Sequence, residues 1–124
     1  MNKKESREDY LEAILVLERK NDGHVISIDI ANELSFSKPS VSIAMKKLKE
    51  EELIIIDSDG SIHLTEKGRI IAEKTLEKHE FLTNFFISLG IDPVMAEDEA
   101  CEIEHALNEV TFEKFREYVE RNKK

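Results

Sequence analysis

Apolar residues recur at helical spacing in the first third of the chain. Between Ser6 and Lys20 they follow a period of about 3.6 residues, which predicts a first helix with Ser6 as its N-cap. The turn-forming run Asn21-Asp22-Gly23 predicts its end. A second, shorter helix is predicted from Ser27, as N-cap, to Leu34. Residues 6–34 are therefore expected to contain two helices, preceded by a mobile arm at 1–5.

A third helix is predicted directly after a tight turn. It starts with Ser37 as N-cap, has Pro39 in its first turn, where proline is favoured, and runs to about Glu51. Four lysines and no acidic residue lie between Lys38 and Lys49. Two short helices joined by a tight turn, the second one basic, are typical of a helix-turn-helix. An ordinary helical hairpin with a solvated basic face is the alternative.

The next segment favours DNA binding over that alternative. Two runs rich in β-branched residues, Leu53–Ile56 and Ser61–Leu64, flank the turn-forming residues Asp57-Ser58-Asp59-Gly60, which predicts a β-hairpin. A hairpin directly after a recognition helix is the wing of a winged helix-turn-helix. The candidate DNA contacts are Ser37, Lys38, Pro39, Ser40, Ser42 and Lys46.

The second half of the chain is predicted to be helical throughout. A long helix is predicted at 68–89, a fifth at 93–107, and a sixth at 112–121 with Thr111 as its N-cap. Three phenylalanines fall within residues 81–86, more than a monomer of this size readily buries. The surplus suggests the interface of a helical homodimer.

Composition restricts the class of protein. With 40% apolar and 36% charged residues and no Trp, the 124-residue chain resembles a helical globular protein more than a β-sandwich or a disordered tail. No run approaches the roughly 18 apolar residues of a membrane span, and the charged start lacks the apolar stretch of a signal peptide. A single cysteine cannot form an internal disulfide. We therefore expect a cytoplasmic protein with no membrane partner.

Charge is distributed unevenly along the chain. The formal net charge of −9, taken alone, argues against a nucleic-acid partner. However, the lysines of 38–49 form a basic segment, whereas residues 97–104 contain five acids and no base. This separation predicts a polyanion site at the first segment and a cation site at the second.

The acidic segment combines three kinds of metal ligand. Cys101, Glu104 and His105 stand at i, i+3 and i+4, which places a thiol, a carboxylate and an imidazole on one helix face. Taken singly, the candidates have simpler explanations as an inert thiol, solvated acids or a surface histidine. Together they suit Fe(II), Mn(II), Co(II) or Zn(II), and are too rich in nitrogen and sulfur for Mg(II) or Ca(II). The candidate ligands are Asp9, Glu12, His79, Cys101, Glu104 and His105, and the nearby Glu99 and Glu102 are either solvated or supporting residues.

Several motifs are similar to those of one known family. They are Glu8–Glu12 at the start, Lys38–Ser42 in the third helix, Thr65–Gly68 after the hairpin, Lys78-His79, and Asp98–His105. From Glu8 to about Val119 the chain resembles the iron- and manganese-dependent transcriptional repressors, the diphtheria toxin repressor and manganese transport regulator family. It resembles their short form, without an SH3-like domain.

The patterns and the resemblance together predict a mainly α fold. An N-terminal winged helix-turn-helix DNA-binding domain, 1–68, is expected to precede a helical dimerisation and metal-binding domain, 69–124. The resemblance implies a homodimeric repressor of metal homeostasis that binds double-stranded palindromic operator DNA, with Mn(II) or Fe(II) as corepressor. Ile43 occupies a recognition-helix position that is often polar in relatives, which suggests contact with a thymine methyl.

The resemblance also implies which residues bind metal. One site would use Asp9, Cys101, Glu104 and His105, with Glu12 and His79 completing it or bridging to a second. Asp9 follows the manganese branch and Cys101 the iron branch. Glu97, another candidate, stands where the iron branch has His, and Thr83 where much of the family has Glu. Hard Asp9 favours Mn(II), softer Cys101 favours Fe(II), and Zn(II) or Co(II) could outcompete either in a purified sample.

Metal is then expected to join the first helix to the dimerisation helices and so fix each winged helix for operator binding. Two other interpretations are open at this point. A winged-helix regulator that senses a small ligand or an oxidant through Cys101 would bind DNA independently of metal. A metal-dependent hydrolase would need an open coordination position in a substrate-sized cleft. No glycine-rich loop, nucleophile elbow or acid/base pair supports catalysis, so we predict that the protein is not an enzyme.

Overall fold

The computed structural model describes residues 6–123 of the chain. Within that range lie six α-helices and one two-stranded antiparallel sheet, which confirms the predicted mainly α fold. The elements are α1 Arg7–Lys20, α2 Ser27–Leu34, α3 Lys38–Glu50, β1 Ile54–Ile56, β2 Ile62–Leu64, α4 Glu66–Ser88, α5 Pro93–Glu104 and α6 Glu109–Arg121. They form two compact units, of which the first unit ends at Leu76 and the second unit begins at Glu77. A domain boundary at 68/69 stays a prediction, and the mobile arm predicted at 1–5 lies outside the residues that the structure describes.

Serine side chains cap the N-terminal ends of α1 and α3. The Oγ of Ser6 accepts a hydrogen bond from the backbone N–H of Asp9 at 3.1 Å, which confirms the predicted cap of α1. The Oγ of Ser37 likewise accepts from the N–H of Ser40 at 3.3 Å and caps α3. The start of the recognition helix is therefore fixed by its own sequence.

The start of α2 differs from the prediction. Its N-cap is Ile26, in extended conformation, and Ser27 is the first helical residue rather than the cap. The carboxylate of Asp29 accepts a hydrogen bond from the Ile26 N–H at 3.1 Å, so an acid inside the helix satisfies the N-terminal backbone. The prediction of Ser27 as N-cap is wrong by one residue for this reason.

The wing forms as the sequence predicts. Ile54 pairs with Leu64 and Ile56 with Ile62 across the antiparallel ladder. Gly60 has a φ of 88°, a conformation that glycine adopts without strain, and this allows the tight turn between the strands. The N–H of Ile62 donates to the carbonyl of Val25 at 2.7 Å, which attaches the wing to the segment before α2.

The junction between the wing and α4 is closely packed. The hydroxyl of Thr65 accepts from the N–H of Gly68 at 3.1 Å and donates to the carbonyl of Glu52 at 2.8 Å. A Cβ atom on Gly68 would lie 2.0 Å from the carbonyl oxygen of Leu53. Only glycine therefore fits at this position without a shift of the backbone.

The core of the first unit is built from α1, α2, α3, the wing and the first half of α4. Its largest fully buried apolar residues are Leu11, Ile14, Leu15, Val25, Ile30, Val41, Leu53 and Ile62. Val41, Met45 and Leu48 form the buried face of α3, as predicted. The opposite face of the recognition helix is left to the solvent.

The second unit has a smaller, aromatic core. Leu82, Ala100 and Phe112 are buried at its centre. The ring of Phe81 packs edge-to-face on Phe112, with centroids 5.5 Å apart, and Phe85 packs on Phe115 at 5.1 Å. Phe86 in turn contacts Phe85 at 6.0 Å, so all three phenylalanines that suggested a dimer interface have aromatic partners within the unit.

The start of α6 also differs from the prediction. Asn108 is its N-cap, because the Asn108 side-chain oxygen accepts from the N–H of Val110 at 2.7 Å, and the helix begins at Glu109. Thr111 lies inside the helix and is exposed, so its assignment as the cap is wrong.

Among residues 6–123, no helix is both long enough and apolar enough to span a bilayer.

Candidate metal centre and nucleic-acid interface

Three predicted ligands converge in the second unit. Cys101 and Glu104 are one turn apart on α5, and α4 brings His79 beside them. The Nδ1 atom of His79 lies 3.0 Å from a carboxylate oxygen of Glu104 and 3.6 Å from the sulfur of Cys101. One donor atom from each residue falls within 4.8 Å of the other two, close enough to share one metal ion.

Two of the three clustered residues are more deeply buried than polar side chains usually are. Glu104 is 2% exposed and His79 8% exposed. The Oε1 atom of Glu104 has no hydrogen-bond partner within residues 6–123. A buried carboxylate oxygen without a partner is costly, and a cation would remove that cost. The donor set of one nitrogen, one sulfur and one oxygen fits a transition metal.

The protonation state of His79 follows from the same contacts. Burial favours the neutral imidazole, but hydrogen bonds with Cys101 and Glu104 outweigh it and raise the pKa of His79 to about 10. The metal-free imidazole therefore carries a proton near neutral pH. A cation that binds at Nδ1 must displace that proton.

The other predicted ligands of the second unit lie around this cluster. His105 is the C-cap of α5, and its Nε2 atom is 3.5 Å from Glu104 Oε1, an ion-pair distance without hydrogen-bond geometry. Glu97 and Glu99 are exposed, and Glu102 is partly exposed. Their carboxylates are not part of the convergent set of His79, Cys101 and Glu104.

The remaining two predicted ligands belong to the first unit. Asp9 and Glu12 lie one turn apart on α1, and each is 1% exposed. Such burial is rare for acidic side chains and is usually accompanied by pairing or metal binding. The alternative explanation, that Asp9 and Glu12 are two solvated acids, is therefore excluded.

The candidate DNA contacts lie at the start and on the outer face of α3. Ser37, Lys38, Pro39, Ser42 and Lys46 are exposed, and Ser40 is partly exposed. The hydroxyl of Ser37 donates to that of Ser40 at 2.9 Å, so these two serines also hold the helix start together. Ile43 is 68% exposed and stands one turn before Lys46 and Lys47. A large apolar side chain in that position is available for contact with a base.

A groove of about 520 Å³ runs beside this face, between α1 and α3 of the first unit. Its lining includes Arg7, Tyr10, Ile43, Lys47 and Glu51. Arg7 and Glu51 form an ion pair across it at 3.6 Å. None of the predicted metal ligands lines this groove, so it does not provide the substrate cleft that a metal-dependent hydrolase requires.

Two family models match the chain one after the other. The model described as the N-terminal DNA-binding domain of the iron dependent repressor matches residues 4–62. The model described as the iron dependent repressor metal binding and dimerisation domain matches residues 65–124. This chain belongs to the iron-dependent repressor family. The resemblance inferred from its motifs is thereby confirmed.

Individual members of the iron-dependent repressor family are similar over most of the chain. An uncharacterized HTH-type transcriptional regulator of Methanocaldococcus jannaschii is 33% identical over 120 residues, 96% of each chain. The transcriptional regulator MntR of Escherichia coli O157:H7 is 31% identical over 121 residues, 98% of this chain and 77% of that one. The solved structure of the manganese regulator SloR has a TM-score of 0.83 at 30% identity and covers 97% of this chain.

The similarity is limited to part of the length of some of these proteins. The chain covers 55% of the SloR structure, about half its length. The similar proteins are transcriptional regulators, which supports the prediction of a regulator rather than an enzyme. The family description refers to iron and the SloR structure to manganese.

One residue of the site has a role that the sequence analysis did not predict. In the sequence, Lys78 is notable only as the neighbour of His79 in the Lys78-His79 motif. In the structure its ammonium group donates hydrogen bonds to the backbone carbonyls of Glu104 and Leu107. Its position next to a candidate ligand was the only signal available in the sequence.

Proposed function

We propose that this protein is a metal-dependent DNA-binding transcriptional repressor that controls metal homeostasis, with Mn(II) or Fe(II) as corepressor. The observation that carries the proposal is the convergence of His79, Cys101 and Glu104, with one buried carboxylate oxygen that lacks a hydrogen-bond partner among the described residues. The matching family descriptions, one for DNA binding and one for metal binding, point the same way.

We extend the ligand set to His105 and, from α1, to Asp9 and Glu12. The near-complete burial of the two α1 carboxylates supports this extension, because acids at such depth are stabilised by a counter-charge. Bound metal supplies positive charge that offsets the mutual repulsion of the clustered carboxylates. The exposed Glu97 and Glu99 and the partly exposed Glu102 are the weaker candidates for ligation on the same grounds.

For DNA, we propose that a homodimer binds a double-stranded palindromic operator through α3. The lysines would contact phosphates, and the small residues at the helix start would allow close approach of the backbone to the major groove. The contacts proposed are Ser37, Lys38, Pro39, Ser40, Ser42 and Lys46. A homodimer would also cover apolar side chains of the second unit, since Leu89, Val94 and Met95 are 62%, 70% and 55% exposed. We place the protein in the cytoplasm, as the single cysteine and the DNA partner favour.

The proposed switch depends on which unit each ligand belongs to. Asp9 and Glu12 belong to the unit that contains α3, whereas His79, Cys101 and Glu104 belong to the other. A ligand set drawn from both units would restrict the motion of the DNA-binding unit when metal is bound. Operator binding requires two recognition helices at a fixed spacing, so such restriction raises DNA affinity.

The experiment that tests this function begins with selection of binding sites from a random DNA duplex pool in the presence of Mn(II). Binding of the selected duplex is then followed by fluorescence anisotropy with Mn(II), with Fe(II) under anaerobic conditions, with Zn(II), and with a chelator. We expect binding with at least one metal and its loss with the chelator. Equal binding in all conditions would refute metal dependence.

Asp9→Ala is the variant that tests the α1 ligand. We expect it to bind the selected duplex weakly at metal concentrations that saturate the original protein. Glu73→Ala, at an exposed acid of α4 that is not a proposed ligand, is the control. Full metal-dependent DNA binding by Asp9→Ala would remove Asp9 from the ligand set.

The alternative that Cys101 senses an oxidant is tested in the same assay. Cys101 is partly exposed and lies 3.6 Å from the Nδ1 atom of His79, so a peroxide could reach a thiol that has an imidazole neighbour. DNA binding that is insensitive to metal but is lost with peroxide and restored by a thiol reductant would favour this alternative. DNA binding that follows metal concentration would exclude it as the main signal.

A further inference from the structure

The C-terminal end of α5 is held by a lysine from α4. The Nζ atom of Lys78 donates to the backbone carbonyl of Glu104 at 3.2 Å and to that of Leu107 at 3.3 Å. Carbonyls at the end of a helix lack partners within the helix, and a cation there is also favoured by the helix dipole. Lys78 therefore supplies, from another helix, a contact to the last residue of α5 and a second contact to the turn that follows it.

The ammonium group is itself held in place by α6. It lies 5.6 Å from the ring centroid of Phe112, a cation–π distance, and Phe112 is 5% exposed in the core of the second unit. The guanidinium of Arg116 is 5.4 Å from the same ring and pairs with Glu77, the residue before Lys78. The position of the lysine is thus fixed from two sides, by carbonyl groups and by an anchored aromatic ring.

Two consecutive residues of α4 contact the same residue of α5. Lys78 donates to the backbone carbonyl of Glu104, and His79 contacts the carboxylate of Glu104 at 3.0 Å. The backbone contact sets the position of the Glu104 main chain, and the side-chain contact brings the carboxylate to the imidazole. Cys101 is one turn earlier on the same helix, so it is placed by the same backbone contact.

We propose that Lys78 is a positioning residue for the metal centre, which holds the end of α5 so that Cys101 and Glu104 can bind a metal ion together with His79. The proposal rests on the proposed metal-dependent function. It assigns Lys78 no direct contact with the metal. Its effect passes through the backbone of Glu104.

Electrostatics and positioning predict opposite effects when the charge is removed. Loss of a positive charge close to a cation site would, by Coulomb interaction alone, strengthen cation binding. Loss of a contact that positions a ligand weakens metal binding, by about tenfold or more for residues that orient ligands. The sign of the change therefore separates the two roles.

The test is a titration of the full chain with Co(II), which reports thiolate ligation through its absorption bands. Lys78→Met keeps an unbranched side chain but has no donor and no charge, and Lys78→Arg keeps both. We expect Lys78→Met to bind Co(II) about tenfold more weakly, with a reduced thiolate-to-cobalt band, and Lys78→Arg to bind close to the original protein. Lys114→Met, at an exposed lysine of α6, is the matched control and should bind as the original protein does.

Circular dichroism of the metal-free variants separates positioning from folding. If Lys78→Met folds and binds Co(II) as tightly as the original protein, or more tightly, the proposal is wrong. If Lys78→Met does not fold, Lys78→Gln, which keeps a neutral donor, takes its place with the same criteria. Failure of both to fold would show a general structural role and would also overturn it. If the original protein itself binds no Co(II), the proposed function fails rather than the role of Lys78 alone.

Discussion

Replacement of Glu104 by Gln tests the metal centre with the smallest change of shape. Gln has nearly the size of Glu and can still accept a hydrogen bond from the His79 imidazole, now 3.0 Å from a carboxylate oxygen. It has no negative charge, and an amide is a poor ligand for a transition metal compared with a carboxylate. We therefore expect a large loss of metal affinity with little change in the metal-free fold.

The expected loss of metal affinity can be worked out from the contribution of one ligand to the free energy of metal binding. Structural zinc sites with four ligands bind with about 10–16 kcal/mol, so one ligand accounts for roughly 3 kcal/mol. At about 1.4 kcal/mol per tenfold, Glu104→Gln should raise the dissociation constant by roughly 100-fold. The metal-free protein should lose roughly 1–3 kcal/mol of stability, because the substitution breaks the buried His79–Glu104 pair, although a neutral amide and a neutral imidazole are easier to bury than the two charged groups.

Competition against a chelating dye measures the affinity for Mn(II), Co(II) and Zn(II), and urea unfolding with chelator present measures the stability of the metal-free fold. Glu80→Gln is the control, since Glu80 is exposed on α4 beside His79 and is not a proposed ligand. If Glu104→Gln and Glu80→Gln bound all three metals equally well, the assignment of the buried carboxylate as a ligand would be wrong.

Three further predictions concern the DNA-binding unit. Gly68→Ala places a Cβ 2.0 Å from the carbonyl oxygen of Leu53 and should cost about 3 kcal/mol in urea unfolding, and a loss below about 1 kcal/mol would show that the junction can relax. Ser6→Ala removes the cap of α1 and should lower the free energy of unfolding by about 1 kcal/mol, whereas no change would mean that water replaces the cap. Ile43→Ala should weaken binding to the selected duplex about fourfold, the affinity that burial of one methyl group contributes. Deoxyuridine in place of the contacted thymine removes the base methyl and should weaken DNA binding by the original protein to the same extent. It should not weaken DNA binding by Ile43→Ala any further. Ile70→Ala, also at an exposed isoleucine, is the control, and equal effects of both substitutions would contradict thymine recognition.

The elements of the fold could be predicted because their signals are local. Helix periodicity, the stop at residues 21–23 and the turn that includes Gly60 each depend on a few neighbouring residues. The two wrong caps show the limit of such signals. Ser27 and Thr111 are both good N-cap residues, but Asp29 in one case and Asn108 in the other make the capping contact instead. Which of several suitable residues caps a helix is decided by the path of the chain into it.

The candidate metal centre could be predicted only in part. The spacing of Cys101 and Glu104 on one helix face is a property of the sequence, and the structure has them on one face. The place of His79 depends on how α4 packs against α5, for which a single sequence carries no local signal. The same holds for the unpartnered oxygen of Glu104, which arises from burial, and for the raised pKa of His79, which arises from its contacts with Cys101 and Glu104 on another helix.

The mixed character of the donor set bears on which metal the protein senses. A thiolate and an imidazole beside one carboxylate bind Zn(II) more tightly than Fe(II), and Fe(II) more tightly than Mn(II), by intrinsic affinity. Tight binding at His79, Cys101 and Glu104 is therefore a poor guide to the physiological metal. A corepressor must in addition change the DNA affinity, and for that the proposed α1 carboxylates must take part. Hard oxygen ligands such as Asp9 favour Mn(II) in that second step, so the metal that best promotes DNA binding identifies the signal, and the metal that binds most tightly does not.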